Sequence, residues 1–331
     1  MNSFVCIQHP GELSAFCRTE AVSLVSAEDL DGQGPDAHWL LTGNGQEVLA
    51  RCSLWWQQTP EVQGQRLGFI GHYAAGDTQS AKALLNHVGR ILRENGCSLA
   101  VGPVDGSTWR RYRLITRRGD EPTFFMEPDN PDTYPAQFEA AEFIPMTRYY
   151  TSLNDDLGTA VHPPDGIMEN LRNAGIRIRP LDPDTFMEEL TRIYDLSIAG
   201  FRNNLLYTDI SRDEFIRMYA QVQPFIRQEL VLLAERDSEP VGFIFALPDM
   251  ARIRHGHPAD TVILKSMAVL PEMSGKGIGA CLMAEVTNNA RLSGFTRAIH
   301  ALMHEDNRSR TMSSHYGREI RQYTLYSRLL S

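Results

Sequence analysis

The sequence predicts a mixed α/β (α+β) protein built as two tandem domains, each a mixed, mostly antiparallel sheet flanked by helices. Three observations carry this. At 331 residues the chain exceeds what one hydrophobic core usually organises. A polar stretch bearing proline and glycine, "NDDLGTAVHPPDG" at 154–166, has the composition of a boundary. On either side of it the same order of patterns recurs: strand pair, strand, turn, helix, strand, terminal strand. That repeated order predicts a pseudo-duplication, with one domain over 1–155, a linker over 156–175 and a second domain over 176–331.

In the first half, "HWLLT", "EVLARCSLWWQ" and "QRLGFIGHY" read as strands from their β-branched and aromatic content. From about Thr78 to Glu94, Ala81, Leu84, Leu85, Val88, Ile91 and Leu92 share one face at helical spacing. "SLAVGPV" is the next strand, and "FIPMTRYYTSL" closes the half. In the second half, "IRIRPLD" opens as a strand and a helical region runs from about 183 to 220, interrupted at "GFRNNLLYTDI". "LVLLAER" and "VGFIFALP" flank a turn at "DSEP" and form a hairpin-like pair, and "TVILKSMAVL" is a further strand. Ile278, Leu282, Val286 and Ala290 then repeat every four residues, the signature of a helix with one buried face, and Gly294 stands where it would stop. "TRAIHALMH", a short helix in "NRSRTMSSHYG" and a last strand in "IRQYTLYSRLL" complete the chain.

Composition narrows the function. With 41 acidic and 32 basic residues the net charge is −9, which opposes general nucleic-acid or membrane-surface binding, since such partners need a positive field. Five scattered cysteines without a C-x-x-C pair predict reduced thiols and no metal site. "MNSFVCIQHPGELSAF" lacks a basic region followed by an apolar core, and no apolar run reaches about 18 residues, so neither a signal peptide nor a membrane span is expected. The expectation is a cytoplasmic protein with a small-molecule partner.

The most informative stretch is "VLPEMSGKGIGACLMAEV", 269–286, where a glycine turn joins a strand to a helix. The first turn of a helix exposes unpaired N–H groups at the positive end of its dipole. Glycines let a phosphate approach those donors, and Lys276 adds a compact cation. A P-loop fails here, because glycine rather than serine or threonine follows the lysine. Gly275, Gly277 and Ala280 satisfy the dinucleotide pattern G-x-G-x-x-[GA], and Glu305-Asp306 falls roughly where a ribose carboxylate would sit. However, five residues separate Val269 from Gly275, whereas that fingerprint turns almost directly off its strand.

The segment also resembles the acyl-CoA-binding signature of the GNAT superfamily of N-acyltransferases, V-x-P-x-x-[QR]-x-x-G-x-G-[AG]. Val269, Pro271, Gly277, Gly279 and Ala280 match it, Gly275 and Ile278 are typical, and Ser274 replaces the usual Gln or Arg. The order of elements from 176 to 331 resembles that fold as well. The resemblance implies acetyl-CoA as co-substrate, no metal, and transfer of an acetyl or short acyl group to an amine by direct attack. It implies that Met267, Ala268 and Val269 offer backbone groups to pantetheine, with an N–H near the thioester oxygen. The turn Ser274, Gly275, Lys276, Gly277, Ile278, Gly279 and Ala280 would hold the pyrophosphate, with Asn307 as a further coenzyme contact.

The catalytic candidates are Glu305 and His304 at the strand end and Tyr316 as general acid. Relatives place a glutamate just before the V-x-P, where this chain has Lys265 and Ser266, and Ser313 and Ser314 fall where the usual tyrosine would be. His300 and His304 fall on one strand face by period two, without a carboxylate that would make them a metal site. In the first half the equivalent turn carries Asp77, suited to cap the following helix and to repel a pyrophosphate, so that half is expected to be GNAT-like but degenerate. The acceptor loop would be "GFRNNLLYTDI", with Arg202, Asn203 and Tyr207, and the segment 121–138 would line the cleft. A non-catalytic acyl-CoA-binding protein and a nicotinamide-dependent oxidoreductase stay open as alternatives.

Overall fold

The computed structural model describes residues 2–7, 33–45, 47–163, 165–307, 310 and 317–331. The first half supplies β1 (Ser3–Ile7), β2 (Ala37–Thr42), β3 (Val48–Trp55), β4 (Glu61–Val62), β5 (Gln65–Ala75), α1 (Thr78–Glu94), β6 (Leu99–Gly102), β7 (Leu114–Arg117), α2 (Tyr134–Ala140) and β8 (Ile144–Asn154). A helix in the connecting segment, α3 (Ile167–Asn173), precedes β9 (Ile176–Pro180), α4 (Phe186–Phe201), α5 (Arg212–Ala220), β10 (Val231–Arg236), β11 (Glu239–Pro248), α6 (Met250–Arg254), β12 (Thr261–Val269), α7 (Ile278–Leu292), β13 (Arg297–His304) and β14 (Arg318–Leu329). The helices α1 and α7 follow the periodicity of the sequence. Ile278, Leu282, Val286 and Ala290 of α7 are at most 1% exposed, and α1 buries Ala81, Leu84, Leu85, Val88 and Leu92 fully.

The strands form one 14-stranded sheet in the order β1-β2-β3-β5-β6-β14-β8-β13-β12-β11-β10-β9, with β4 and β7 off this path. The closing strands are exchanged. β14, from the end of the chain, pairs antiparallel with β6 of the first half, while β8, from the first half, pairs antiparallel with β13 of the second. The two exchanged strands pair with each other along Arg318–Ser327 and Ile144–Leu153. The halves therefore share main-chain hydrogen bonds at the centre of one sheet, and any cleft beside β13 is walled by both.

Each half contains one parallel pair that stays together only briefly. β5 and β6 are in register over Leu67–Phe69 and Leu99–Val101, and β12 and β13 over Thr261–Leu264 and Arg297–His300. Beyond these positions the two halves differ. In the first, the chain after β6 runs alongside β5: the Val104 N–H donates to the Ile70 carbonyl at 2.9 Å and the His72 N–H to Asp105 Oδ1 at 2.6 Å. A Cβ added at Gly71 would sit 2.2 Å from the Val104 carbonyl oxygen, so only glycine permits this closure. In the second half the strands part around open space.

The helix starts differ as well. Asp77 caps α1, its carboxylate accepting from the Ser80 N–H at 2.8 Å and from Ser80 Oγ at 2.7 Å, and these bonds hold its carboxyl below the usual range. A carboxyl with a depressed folded-state pKa stabilises the fold above its unfolded pKa and ceases to do so as pH falls through the folded value. Asp77→Ala is expected to cost about 0.5–1 kcal/mol at neutral pH, at the low end for an exposed cap, with the difference from wild type shrinking in acid. Urea midpoints at neutral and low pH check this; a cost that does not fall on acidification would rule out the carboxylate as its source.

Candidate acyl-transfer site

Where β12 and β13 separate, a cavity of about 1200 Å³ opens. Two backbone irregularities shape it. On β12 the pairing with β11 slips between Phe245 and Ala246, which leaves Lys265 as the extra residue of a bulge. On β13, Leu302 adopts a left-handed φ of +61°, and the pairing with β8 shifts between His300 and Met303. That second bulge corrects the period-two reading of the two histidines. His300 pairs with Ser152 and His304 with Tyr149, an odd offset, so they occupy opposite faces of the sheet. Burial also lowers the His300 pKa to about 4, keeping the ring neutral. Among the described residues no group of His, Cys, Asp or Glu is placed to hold a metal ion.

The coenzyme candidates lie along one path. The Leu270 N–H donates to the Val241 carbonyl at 3.0 Å. Alternation along an antiparallel pair then commits Ala268 and Ser266 to β11 and turns the N–H and C=O groups of Met267 and Val269 into the splay. After a single 3-10 turn at Pro271–Met273 the chain reaches Gly275 and Gly277, with φ of +82° and +85°. Gly277 is the N-cap of α7 and carries no side-chain cap, in contrast to Asp77 on α1. Ser274, Gly275 and Lys276 are exposed, Gly277, Gly279 and Ala280 are half-buried, and Ile278 points into the core. A Cβ at Gly275 would meet nothing within 4 Å, whereas one at Gly277 would meet Ile167 Cγ2 at 2.5 Å. The helix α3, for which no periodic signal stood out among the polar residues of the boundary, thus braces the glycine turn from behind.

At the strand end, His304 Nδ1 accepts the Asp306 N–H at 3.1 Å, which assigns the proton of a neutral ring to Nε2, 2.9 Å from Thr147 Oγ1. Thr147 Oγ1 in turn donates to Glu305 Oε1 at 2.7 Å, and the Arg148 N–H donates to the same oxygen at 2.8 Å. Burial pushes the Glu305 pKa upward, but these two hydrogen bonds together with the Arg148 charge outweigh it and leave the carboxyl below its ordinary value. Thr147 and Arg148 belong to β8, so the exchanged strand completes this cluster. Asn307 is exposed at the rim, its N–H donating to the His304 carbonyl. Tyr316, Ser313 and Ser314 lie outside the described residues, as does most of the short helix expected there.

The remaining walls come from segments distant in sequence. Asn203 and Tyr207 of the loop after α4 line the cavity, while Arg202 does not. Met126, Glu127 and Pro128 line it from the 121–138 segment. Glu127 is fully buried and bonded to Arg321 Nε at 2.8 Å, to the Phe124 N–H at 3.1 Å and to the Tyr323 hydroxyl. Lys265 reaches across from β12 to donate to the Met126 carbonyl at 3.0 Å. Burial, with the nearby Arg113 charge, brings its pKa down to about 8. Sequence reasoning missed the stretch Trp109–Arg113, which also lines the cavity; its "WRRYR" composition is the only signal it carries, and nothing local shows that it folds inward.

Comparisons with known proteins agree with this architecture. Residues 190–312 match the family model for the acetyltransferase (GNAT) family. Protein YghO of Escherichia coli (strain K12) is 24% identical over 195 residues, 57% of this chain and 49% of that protein, so the aligned region spans about half the length of this curated relative. Among solved structures, a GCN5-related N-acetyltransferase from Sphaerobacter thermophilus superposes with a TM-score of 0.50 at 14% identity, covering 99% of this chain and 96% of that one. A tandem GNAT protein from the clavulanic acid biosynthesis pathway gives 0.50 at 12% identity, over 100% and 99% of the two chains. Eis1 from Mycobacterium abscessus gives 0.52 at 13% identity, over 100% and 74%. At these identities the superpositions speak to the fold.

Proposed function

With the chain a member of the GNAT superfamily in a tandem arrangement, we propose that its second half transfers an acetyl or other short acyl group from coenzyme A to the amine of a small acceptor, by direct attack on the thioester. The observation that carries this reading is the pairing of an open strand splay with an uncapped, glycine-started helix: the second half has both, and the first half has neither.

Coenzyme A supplies the activated thioester. The pantetheine arm fits along Met267 and Val269, whose backbone groups face the splay, and the pyrophosphate fits the free N–H groups at the start of α7. A backbone N–H aimed at a developing oxyanion is worth roughly 3 kcal/mol of transition-state stabilisation. Glu305, held as a carboxylate by Thr147 and Arg148, attracts the incoming ammonium and accepts its proton, leaving a neutral amine to attack the thioester, while His304 fixes Thr147 in place. Tyr316 remains the candidate acid for the leaving thiolate, and Asn307 at the rim a contact for the coenzyme.

Acetyl-CoA is expected to raise the melting temperature, with thiol release once an acceptor amine is present. Lys276 is exposed and makes no ion pair among the described residues. Lys276→Glu should therefore leave the unliganded melting temperature unchanged and weaken acetyl-CoA binding by about tenfold, since one charge-assisted phosphate contact becomes a repulsion. Equal affinity of the two proteins would place the pyrophosphate elsewhere. Binding without thiol release across amines would favour a sensor, and stabilisation by NAD(P) but not by coenzyme A would favour the oxidoreductase.

A further inference from the structure

Arg113 is a charged side chain to which the acyl-transfer site gives no role. It sits just before β7 with a left-handed φ of +70°, held there by its N–H donating to the Pro103 carbonyl at 3.0 Å. A non-glycine residue in that region is strained and persists only where its surroundings impose it. The residue is 8% exposed and lines the cavity. The guanidinium packs into the corner of two edge-to-face aromatic rings, 4.0 Å from the centroid of Tyr112 and 4.2 Å from that of Tyr149. Its Nε and Nη1 are buried and have no hydrogen-bond partner among the described residues.

The surrounding charges do not neutralise it. Glu127, the nearby buried carboxylate, is already taken by Arg321 and the Tyr323 hydroxyl, and Lys265 adds a further cation beside Arg113. Stacking on tyrosine faces offsets only part of the cost of leaving guanidinium donors buried and unmet. In a protein of net charge −9, a buried positive pocket of this kind calls for an anion that arrives from solution. A cavity-lining guanidinium with unmet donors suits a carboxylate. On its other side, the Tyr149 ring meets His304 at 5.0 Å between centroids, so the Arg113 pocket and the His304–Thr147–Glu305 cluster are one ring apart.

We infer that the acceptor is an amine bearing a carboxylate, and that Arg113 binds that carboxylate while the amine faces Glu305. The assignment of the carboxylate to the acceptor rests on the acyl-transfer reading above. Binding of a carboxylate at Arg113 does not, and the experiment separates the two.

The test is calorimetric titration of the protein, with and without acetyl-CoA, using the common amino acids, their decarboxylated amines, acetate and glutarate as probes. Saturable binding is expected for carboxylates and not for the matched amines. Arg113→Met should weaken it roughly ten- to hundred-fold, the usual effect of losing a charge-assisted hydrogen bond, and leave the acetyl-CoA-induced rise in melting temperature intact. If Arg113→Met does not fold, Arg113→Lys, which keeps the charge without the planar fork, carries the comparison. The inference is overturned if no carboxylate binds, if decarboxylated amines bind as well, or if binding survives the substitution. It is also overturned if Arg113 instead governs a preference for succinyl-CoA over acetyl-CoA, which would put the carboxylate on the acyl chain. Failure of acetyl-CoA to bind, with carboxylate binding preserved, would strike at the acyl-transfer reading alone.

Discussion

Replacing Gly277 with glutamate is expected to abolish the thermal stabilisation that millimolar acetyl-CoA gives the wild-type protein. A ligand at a hundred times its dissociation constant adds about 2.7 kcal/mol, which raises the melting temperature by several degrees in a chain of this size. Two effects of the substitution act together. The backbone at Gly277 has φ of +85°, and an added Cβ meets Ile167 Cγ2 at 2.5 Å, so any side chain there loses stability, about 1–2 kcal/mol from the backbone alone. The carboxylate then repels the pyrophosphate and competes for the first-turn N–H groups, as Asp77 does on α1. Gly277→Ala separates these effects: it should lower the unliganded melting temperature comparably but keep part of the acetyl-CoA shift. A full shift in Gly277→Glu would mean that the helix entrance does not hold the coenzyme.

Glu127→Ala is expected to be the most destabilising single change, at roughly 3–5 kcal/mol, because it leaves Arg321 charged and unpaired where both side chains are fully buried. It also removes the acceptor for the Phe124 N–H and the Tyr323 hydroxyl. Arg321 and Tyr323 lie on β14, the strand exchanged into the centre of the sheet, so the loss should appear as weakened docking of the 121–138 segment against the second half. The double substitution Glu127→Ala with Arg321→Met should recover part of the loss, since no buried charge is then stranded. Urea denaturation of the three variants measures this. A single-variant cost below about 1 kcal/mol would show that water reaches the site, since exposed ion pairs contribute no more than that.

The parts of the site legible in the sequence were those whose chemistry is local. The glycine turn, its helix and the strand before it announce themselves through spacing, because a phosphate needs bare N–H groups within a few residues of one another. Asp77 was readable for the same reason, since a cap bonds to a residue three positions away. The bulges were not readable. Leu302 carries no glycine or proline signal, yet its left-handed backbone puts His300 and His304 on opposite faces.

The one-dimensional pattern thus determined most of the strands, the buried faces of α1 and α7 and the uncapped glycine start of α7, because these depend on contacts between near neighbours in the chain. Only the tertiary structure decided that β8 and β14 trade places, that Thr147 and Arg148 fix Glu305, and that Arg113 comes to rest beside Lys265. Those contacts join residues more than 150 positions apart, and strand periodicity specifies which face a residue occupies but not which strand will lie beside it.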